Sequence, residues 1–277
     1  MRLKFVSGKR HIEFDGSGEG AASVISVSGF EGVSKRYHTV RYVGMPGQIT
    51  VSESVLPRVI TVTGDICVKN SRPFSEYCTF FTEKGELYVS KGTVKKKIAY
   101  KPVIFRMTEQ KGDFILFELK ILCDFPYFSD WTSSFSDIYK RIDKVTGAFS
   151  LPMVFTERRT SLDVINKGQV ECQPVVVVEC VESGVYSGGI HIKNESTGKS
   201  LVLLTNMKKG EKITLDVKNR TISSDMRDNC YGILSGKCTL ANFLLRKGVN
   251  SIVVENENQE ETVKASLCFD NLYTEAM

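Results

Sequence analysis

The sequence predicts a mainly β chain of two domains, and three observations carry that reading. Apolar residues recur with a period of two in short runs. Clusters of Gly, Pro, Asp and Asn separate these runs about every ten residues, the spacing of sandwiches and jelly-rolls. The chain has 277 residues, and single cores rarely grow past roughly 250.

The elements follow in order. Leu3 and Phe5, then Ile12 and Phe14, alternate with polar neighbours. Ala21–Val27, Ile60 with Val62, and Leu87 with Val89 continue the strand pattern. Turns fall at Asp15–Gly20, Gly44–Gly47, Glu83–Gly85 and Lys111–Asp113. One segment departs from this period. Asn70-Ser71 suit a helix start, Pro73 suits a first turn, and Phe74, Tyr77, Cys78 and Phe81 fall at helical spacing. A helix is expected over 72–83, with an aromatic strand as the alternative. Ile115, Phe117, Leu119 and Ile121 share one face of a central core strand over Phe114–Cys123. It runs into Asp124-Phe125-Pro126-Tyr127-Phe128-Ser129-Asp130-Trp131.

A small-residue, polar stretch follows, so the chain divides into a first domain over 1–131, a linker over 132–150 and a second domain over 151–277. The second half again reads as short strands: Val175–Val178, Ile190 with Ile192, Leu201–Leu204, Ile213 with Leu215 and Val217, and Ile252–Val254.

Composition bounds the function. The formal charge of +5 is small and unclustered, which argues against nucleic acid as a partner. The start, Met1–Arg10, has no apolar core of a secretory signal. No apolar run reaches the roughly 18 residues of a membrane span, so no membrane insertion is expected. The eight cysteines show no tight spacing and read as reduced, mostly buried thiols, with disulfides as the alternative.

Two regions resemble a known family, the distal tail (Dit) proteins of long-tailed, siphovirus-type phages and prophages. The first is the Pro-aromatic run Phe125–Asp130 after a core strand. The family's usual Asp directly before the Pro is displaced here to Asp124. The second is a series of motifs across the second half: Asn166-Lys167-Gly168 with Pro174 and Val175–Val178, Ile192–Gly198, Gly210–Asp216, and Leu245–Asn250. Leu56-Pro57-Arg58 and Gly85–Val89 also fit. The resemblance implies an N-terminal β-sandwich or split-barrel-like domain with one helix, which builds a hexameric ring. It implies a C-terminal galectin-like β-sandwich of jelly-roll type, which points outward. The implied partners are further copies of the chain, the tail tube protein, a tail-associated tip protein of lysin type and a docked receptor-binding protein. The implied location is the virion tail tip, after synthesis in the bacterial host cytoplasm. A carbohydrate-binding accessory module of the tail tip is the alternative.

The Gly-rich segment Gly29–Val55, with Tyr37, His38, Tyr42 and Met45, is long for a plain hairpin and is a candidate arm toward a neighbouring subunit. Its deletion over Lys35–Gly44 is expected to abolish a ring and leave a folded monomer.

Catalysis finds little support. The only histidines are His11, His38 and His191, and none stands in a nucleophile–base motif. The pairs Cys172 and Cys180, and Cys230 and Cys238, are too widely spaced for ordinary zinc sites. Gly16, Gly18 and Gly20 precede a strand pattern, whereas a phosphate loop precedes a helix. Glu260-Glu261, and Asp124 with Asp130, lack the cleft that carboxylate catalysis needs. Lys95-Lys96-Lys97 reads as a solvated strand edge. His191 and Asn194 lie on one strand, but no Arg follows closely and the one Trp, Trp131, is far away in sequence. No catalytic, cofactor or metal residues are assigned, and the chain is not expected to be an enzyme.

Overall fold

A computed structural model describes residues 1–16, 22–69, 71–137, 161–181, 189–228, 230–256 and 263–277. The chain forms two compact units, Met1–Trp131 with Tyr273–Met277, and Thr132–Leu272. Most of the segment expected as a linker, 138–150, lies outside the described residues. Ahead of it, Ser134–Asp137 is a strand of the second unit.

The first unit contains β1 (Arg2–Ser7), β2 (Arg10–Asp15), β3 (Ala22–Ser28), β4 (Lys35–Val40), β5 (Ile49–Val55), β6 (Arg58–Cys67), α1 (Phe74–Phe80), β7 (Gly85–Lys91), β8 (Val94–Lys111), β9 (Phe114–Cys123) and β10 (Phe128–Asp130). Seven of these strands close into a barrel in the order β8-β7-β1-β2-β3-β6-β9, with β9 pairing back onto β8. The sequence pointed to a sandwich or split barrel, and β8 is the reason for the difference. Its first part pairs with β7 through Val94–Tyr100, and its second part pairs with β9 through Lys101–Lys111. Bulges near Val103 and Thr108 bend it between the two partners. One strand thus serves both sides of the seam.

Period-two alternation fills the barrel. Leu3, Phe5, Ile12, Phe14, Ile60, Val62, Leu87, Val89, Ile98, Phe117, Leu119 and Ile121 are buried. In β3 the apolar pattern slips because a bulge between Val24 and Ser26 turns Ile25 outward. Close packing leaves no room at Gly64, where a Cβ would meet Ser23 O and the Phe117 ring.

The helix is shorter than the expected 72–83. Pro73 takes the N-cap position without a side-chain cap, and Ser71 instead donates to Arg72 O (3.1 Å). Asn70 lies outside the described residues. After Phe80 the chain tightens into i→i+3 bonds, Thr82 N–H to Thr79 O and Glu83 N–H to Phe80 O. The helix delivers aromatic rings to the barrel. Phe81 stands edge-on to Phe5 at 5.2 Å, and Phe105 lies 4.9 Å from Phe81.

The second unit holds β11 (Ser134–Asp137), β12 (Ser161–Asn166), β13 (Val175–Cys180), β14 (Gly189–Asn194), β15 (Lys199–Leu204), β16 (Lys212–Asp216), β17 (Thr221–Ser224), β18 (Gly248–Asn256) and β19 (Val263–Phe269). They form a five-stranded sheet, β11-β19-β13-β16-β17, and a four-stranded sheet, β12-β18-β14-β15. Each sheet buries one face. Val176, Val178, Ile213, Leu215, Ala265 and Leu267 belong to the first, and Ile190, Ile192, Leu201, Leu203, Ile252 and Val254 to the second.

Trp131 is the only tryptophan and lies in the first unit, so its fluorescence reports barrel unfolding. Phe117 contacts Phe14 and Phe105 at ring distances of 5.0 and 5.4 Å. Phe117→Ala should destabilise the barrel by about 3–5 kcal/mol. Urea unfolding followed at Trp131 checks this; an unshifted midpoint would show that the ring cluster is not the core.

Candidate assembly surface

The closed barrel leaves one sheet outside it. β4 and β5 pair with each other as a separate two-stranded sheet. Every residue of β4 is exposed, and every residue of β5 except Val55. Tyr37, Val40, Tyr42, Val43, Met45, Ile49 and Val51 all face solvent. An isolated two-stranded hairpin is marginal in water, and a run of large exposed apolar side chains marks an interaction surface. The Lys35–Glu53 ion pair (3.1 Å) is exposed and adds little. This hairpin occupies the segment read from the sequence as an arm.

The base of the arm is held firmly. Leu56 N–H donates to Ser34 O (2.9 Å), which draws the two ends of the hairpin together. Gly29 has a φ of +86°, and a Cβ there would collide with Val59 O. Phe30 is buried edge-on to Phe128 at 5.6 Å. Below them lies Arg58, a buried cation at the start of β6. Its Nε donates to Pro126 O (2.8 Å), one terminal nitrogen to both Gly29 O and Glu31 O (2.6 Å each), and the other to Thr274 O (2.6 Å). The guanidinium also lies over the Phe128 ring at 4.9 Å. Burial lowers its pKa, yet an arginine starts so high that it stays charged.

Lys96 forms a second tie. It faces inward on β8 and pairs with Asp130 (2.6 Å). Asp130 also accepts from the Tyr273 hydroxyl (3.1 Å). Burial, with the adjacent Asp130 carboxylate, pushes the Tyr273 phenol up to about 12. The basic run is therefore no solvated edge, because β8 lies between β7 and β10 at Lys96 and Lys97. The Trp131 indole N–H donates to Lys96 O (2.9 Å), and its ring meets Tyr88 edge-on.

The remaining sequence candidates do not converge on a site. His11 lies on β2, His38 on the arm and His191 on β14. Asn194 is buried, three residues from His191 and so on the opposite face of the strand. Among the described residues no group of His, Cys, Asp and Glu is placed to hold a metal, and the cysteines form no disulfide. Burial pushes the thiols of Cys123 and Cys172 up to about 12, which keeps them protonated and unreactive. Residues 17–21 and 257–262, with Gly18, Gly20 and the Glu260-Glu261 pair, lie outside the described residues. An open groove of about 610 Å³ runs past Arg2, Lys4, Glu13, Tyr88, Lys95 and Trp131. Glu13 already engages Arg2 and Lys4, and Lys95 covers the Trp131 ring. No helix of the described residues is long and apolar enough to cross a membrane.

The motif residues of the second half are buried ties. Asn166 accepts from Gly168 N–H (2.9 Å) and donates to Val170 O and Leu245 O. Asn194 donates to Leu244 O and to Asn250 Oδ1. Asn250 closes the turn at Arg246–Gly248 from both sides. Glu211, wholly buried, accepts from Lys208 N–H, Ser224 Oγ and two nitrogens of Arg227.

Comparison with solved structures agrees with this architecture. SPP1 Dit, described as a paradigm of hub adsorption apparatus in Gram-positive infecting phages, aligns with a TM-score of 0.68 at 14% identity. The alignment covers 91% of this chain and 93% of that one. The chain has the Dit fold. Chains from the phage P2 baseplate in its activated conformation align as well. With Ca the TM-score is 0.52 at 9% identity, covering 96% and 97%; with Sr it is 0.50 at 12%, covering 97% and 98%. No family model matches the sequence, and no curated protein matches it. The Dit fold thus spans both units, matching the resemblance read from Phe125–Asp130 and from the turns of the second half.

In this version of the Dit fold, Glu211 offers a direct test of the ties. Burial pushes its carboxyl up, but the bonds from Arg227, Lys208 N–H and Ser224 outweigh burial and hold it below the usual range. A lowered folded-state value adds stability above the unfolded pKa of about 4.3, and that stability is lost as pH falls through the folded value. Glu211→Gln should cost the second unit about 3 kcal/mol near neutral pH. The gap between variant and wild type should narrow toward about pH 3, as the wild-type carboxyl protonates. Urea titrations at both pH values, followed by circular dichroism, check both statements.

Proposed function

We propose that this chain is a structural subunit of a phage tail tip, a hub that forms a hexameric ring and joins the tail tube to the host-adsorption apparatus. The observation that supports this most is a Dit fold extending over nine-tenths of both chains, combined with an exposed apolar hairpin outside a closed barrel. The first unit builds the ring, and the arm β4–β5 reaches the next copy. A heterologous contact of this kind closes into a ring when its rotation divides the circle. The hairpin's free edges suit strand addition, and its apolar side chains suit burial.

The second unit is the outward module, of galectin-like sandwich type, and a seat for a receptor-binding partner. Tail tube protein and a tip protein contact the ring. The subunit is not an enzyme, and it is located at the virion tail tip.

The arm is separable from the barrel because Ser34 and Leu56 are already hydrogen-bonded neighbours. Replacing Lys35–Val55 by a two-residue turn should leave Trp131 fluorescence and urea midpoint unchanged while abolishing the oligomer. Native mass spectrometry and negative-stain microscopy read the result. A ring that persists without the arm would overturn its assigned role. A wild-type protein that stays monomeric, even with its tail-tube and tip partners added, would overturn the hub.

A further inference from the structure

The arm's base is completed by residues far away in sequence. Tyr273–Met277 belongs to the first unit, although the whole second unit, Thr132–Leu272, precedes it in the chain. Three of its groups meet the base of the arm or the barrel end beside it. Thr274 O accepts from Arg58, whose other terminal nitrogen donates to Gly29 O and Glu31 O. Ala276 N–H donates to Phe30 O (3.0 Å), and the Ala276 side chain is fully buried. Tyr273 lies under Lys96 and donates to Asp130.

We infer that Tyr273–Met277 is a clasp, and that its docking through Arg58 fixes the base of the arm and thereby licenses assembly. The physical ground is hydrogen-bond satisfaction in a buried place. Without the segment, a terminal nitrogen of a buried guanidinium loses its acceptor and Phe30 O loses its donor. Such groups are costly when unpaired and inaccessible. The neighbourhood must then loosen until water reaches them, and Gly29–Glu31 is the part that can move, since Ile60 and Val62 of β6 are locked in the barrel. During synthesis the barrel strands emerge first. The arm stays loosely seated until the second unit has been made and Tyr273–Met277 arrives. Copies still being translated therefore carry an arm that is not set for a neighbour. This inference rests on the reading of the arm as the assembly contact.

The test compares wild type, a chain ending at Leu272, and Ala276→Asp, which places a charge in the buried seat without shortening the chain. Arg58→Lys is the fourth protein, because a point charge cannot serve the fork of carbonyls. Hydrogen exchange by mass spectrometry is read over 28–34 and, as an internal reference, over 60–66 in β6. Native mass gives the oligomeric state. All three variants should exchange about 10- to 100-fold faster over 28–34, keep their protection over 60–66, and lose the oligomer. Unchanged exchange over 28–34 in Ala276→Asp and in the truncated chain overturns the clasp. Faster exchange with the oligomer intact overturns the licensing of assembly. A monomeric wild type overturns the assembly reading itself, and the exchange data then still decide whether the clasp exists.

Discussion

Arg58 stands first in β6, on the face that Ile60 and Val62 turn into the barrel. A charge in that position is expensive unless its donors are satisfied. Here they meet main-chain carbonyls from three separate stretches, Gly29 with Glu31, Pro126, and Thr274. The geometry explains why arginine serves where lysine would not. A planar fork reaches several fixed acceptors at once, and its face stacks on Phe128. The departure of the arm, the corner after β9 and the return of Tyr273–Met277 all refer to this one group. Carbonyl dipoles orient it without requiring a buried carboxylate, so the tie does not depend on a second ionisable residue.

The strands and the helix were legible because their periods are simple. In Phe114–Cys123 every second residue from Phe117 to Cys123 is buried, and the run is a strand through its whole length. The closure of the barrel was not legible. It depends on β8 changing partner midway, and the bulges that allow this fall beside Pro102 and between Met107 and Glu109. Alternation can show that a strand is half-buried, but it does not name the neighbour. The interior position of Lys96 was hidden for a related reason. Three lysines in a row look solvated, and only pairing to β10 reveals the Asp130 that receives the middle one.

Arg58 was read only as part of the Leu56-Pro57-Arg58 motif, although a signal for its buried role existed. In Arg58-Val59-Ile60-Thr61-Val62 the arginine takes the apolar phase of the alternation. A charged residue in phase with a core face must find partners or break the strand, so the pattern itself flags a buried tie. The second half shows the converse. Asn166, Asn194, Glu211 and Asn250 were read as members of turn motifs, and each proves to be a buried hydrogen-bonding anchor. Asn194 faces away from His191 on β14, and its amide nitrogen donates to Leu244 O and Asn250 Oδ1.

Two features of the first unit support the hairpin β4–β5 as the proposed assembly surface. The barrel strands spend most of their edges on one another, although β2 meets β3 only at Asp15 and Ser23. Among the described residues the hairpin β4–β5 pairs with no other strand, and seven of its large apolar side chains stand in water. A hairpin that made no contact would gain nothing from Val43 or Met45 at its tip, and would stand as an aggregation hazard. The hazard is removed only if the hairpin is covered, and a covering surface repeated on every copy turns a liability into an ordered assembly. Covering it in the right geometry requires a rigid hinge. The chain supplies one at Gly29–Glu31, where a glycine with positive φ, a buried phenylalanine and the Arg58 fork meet.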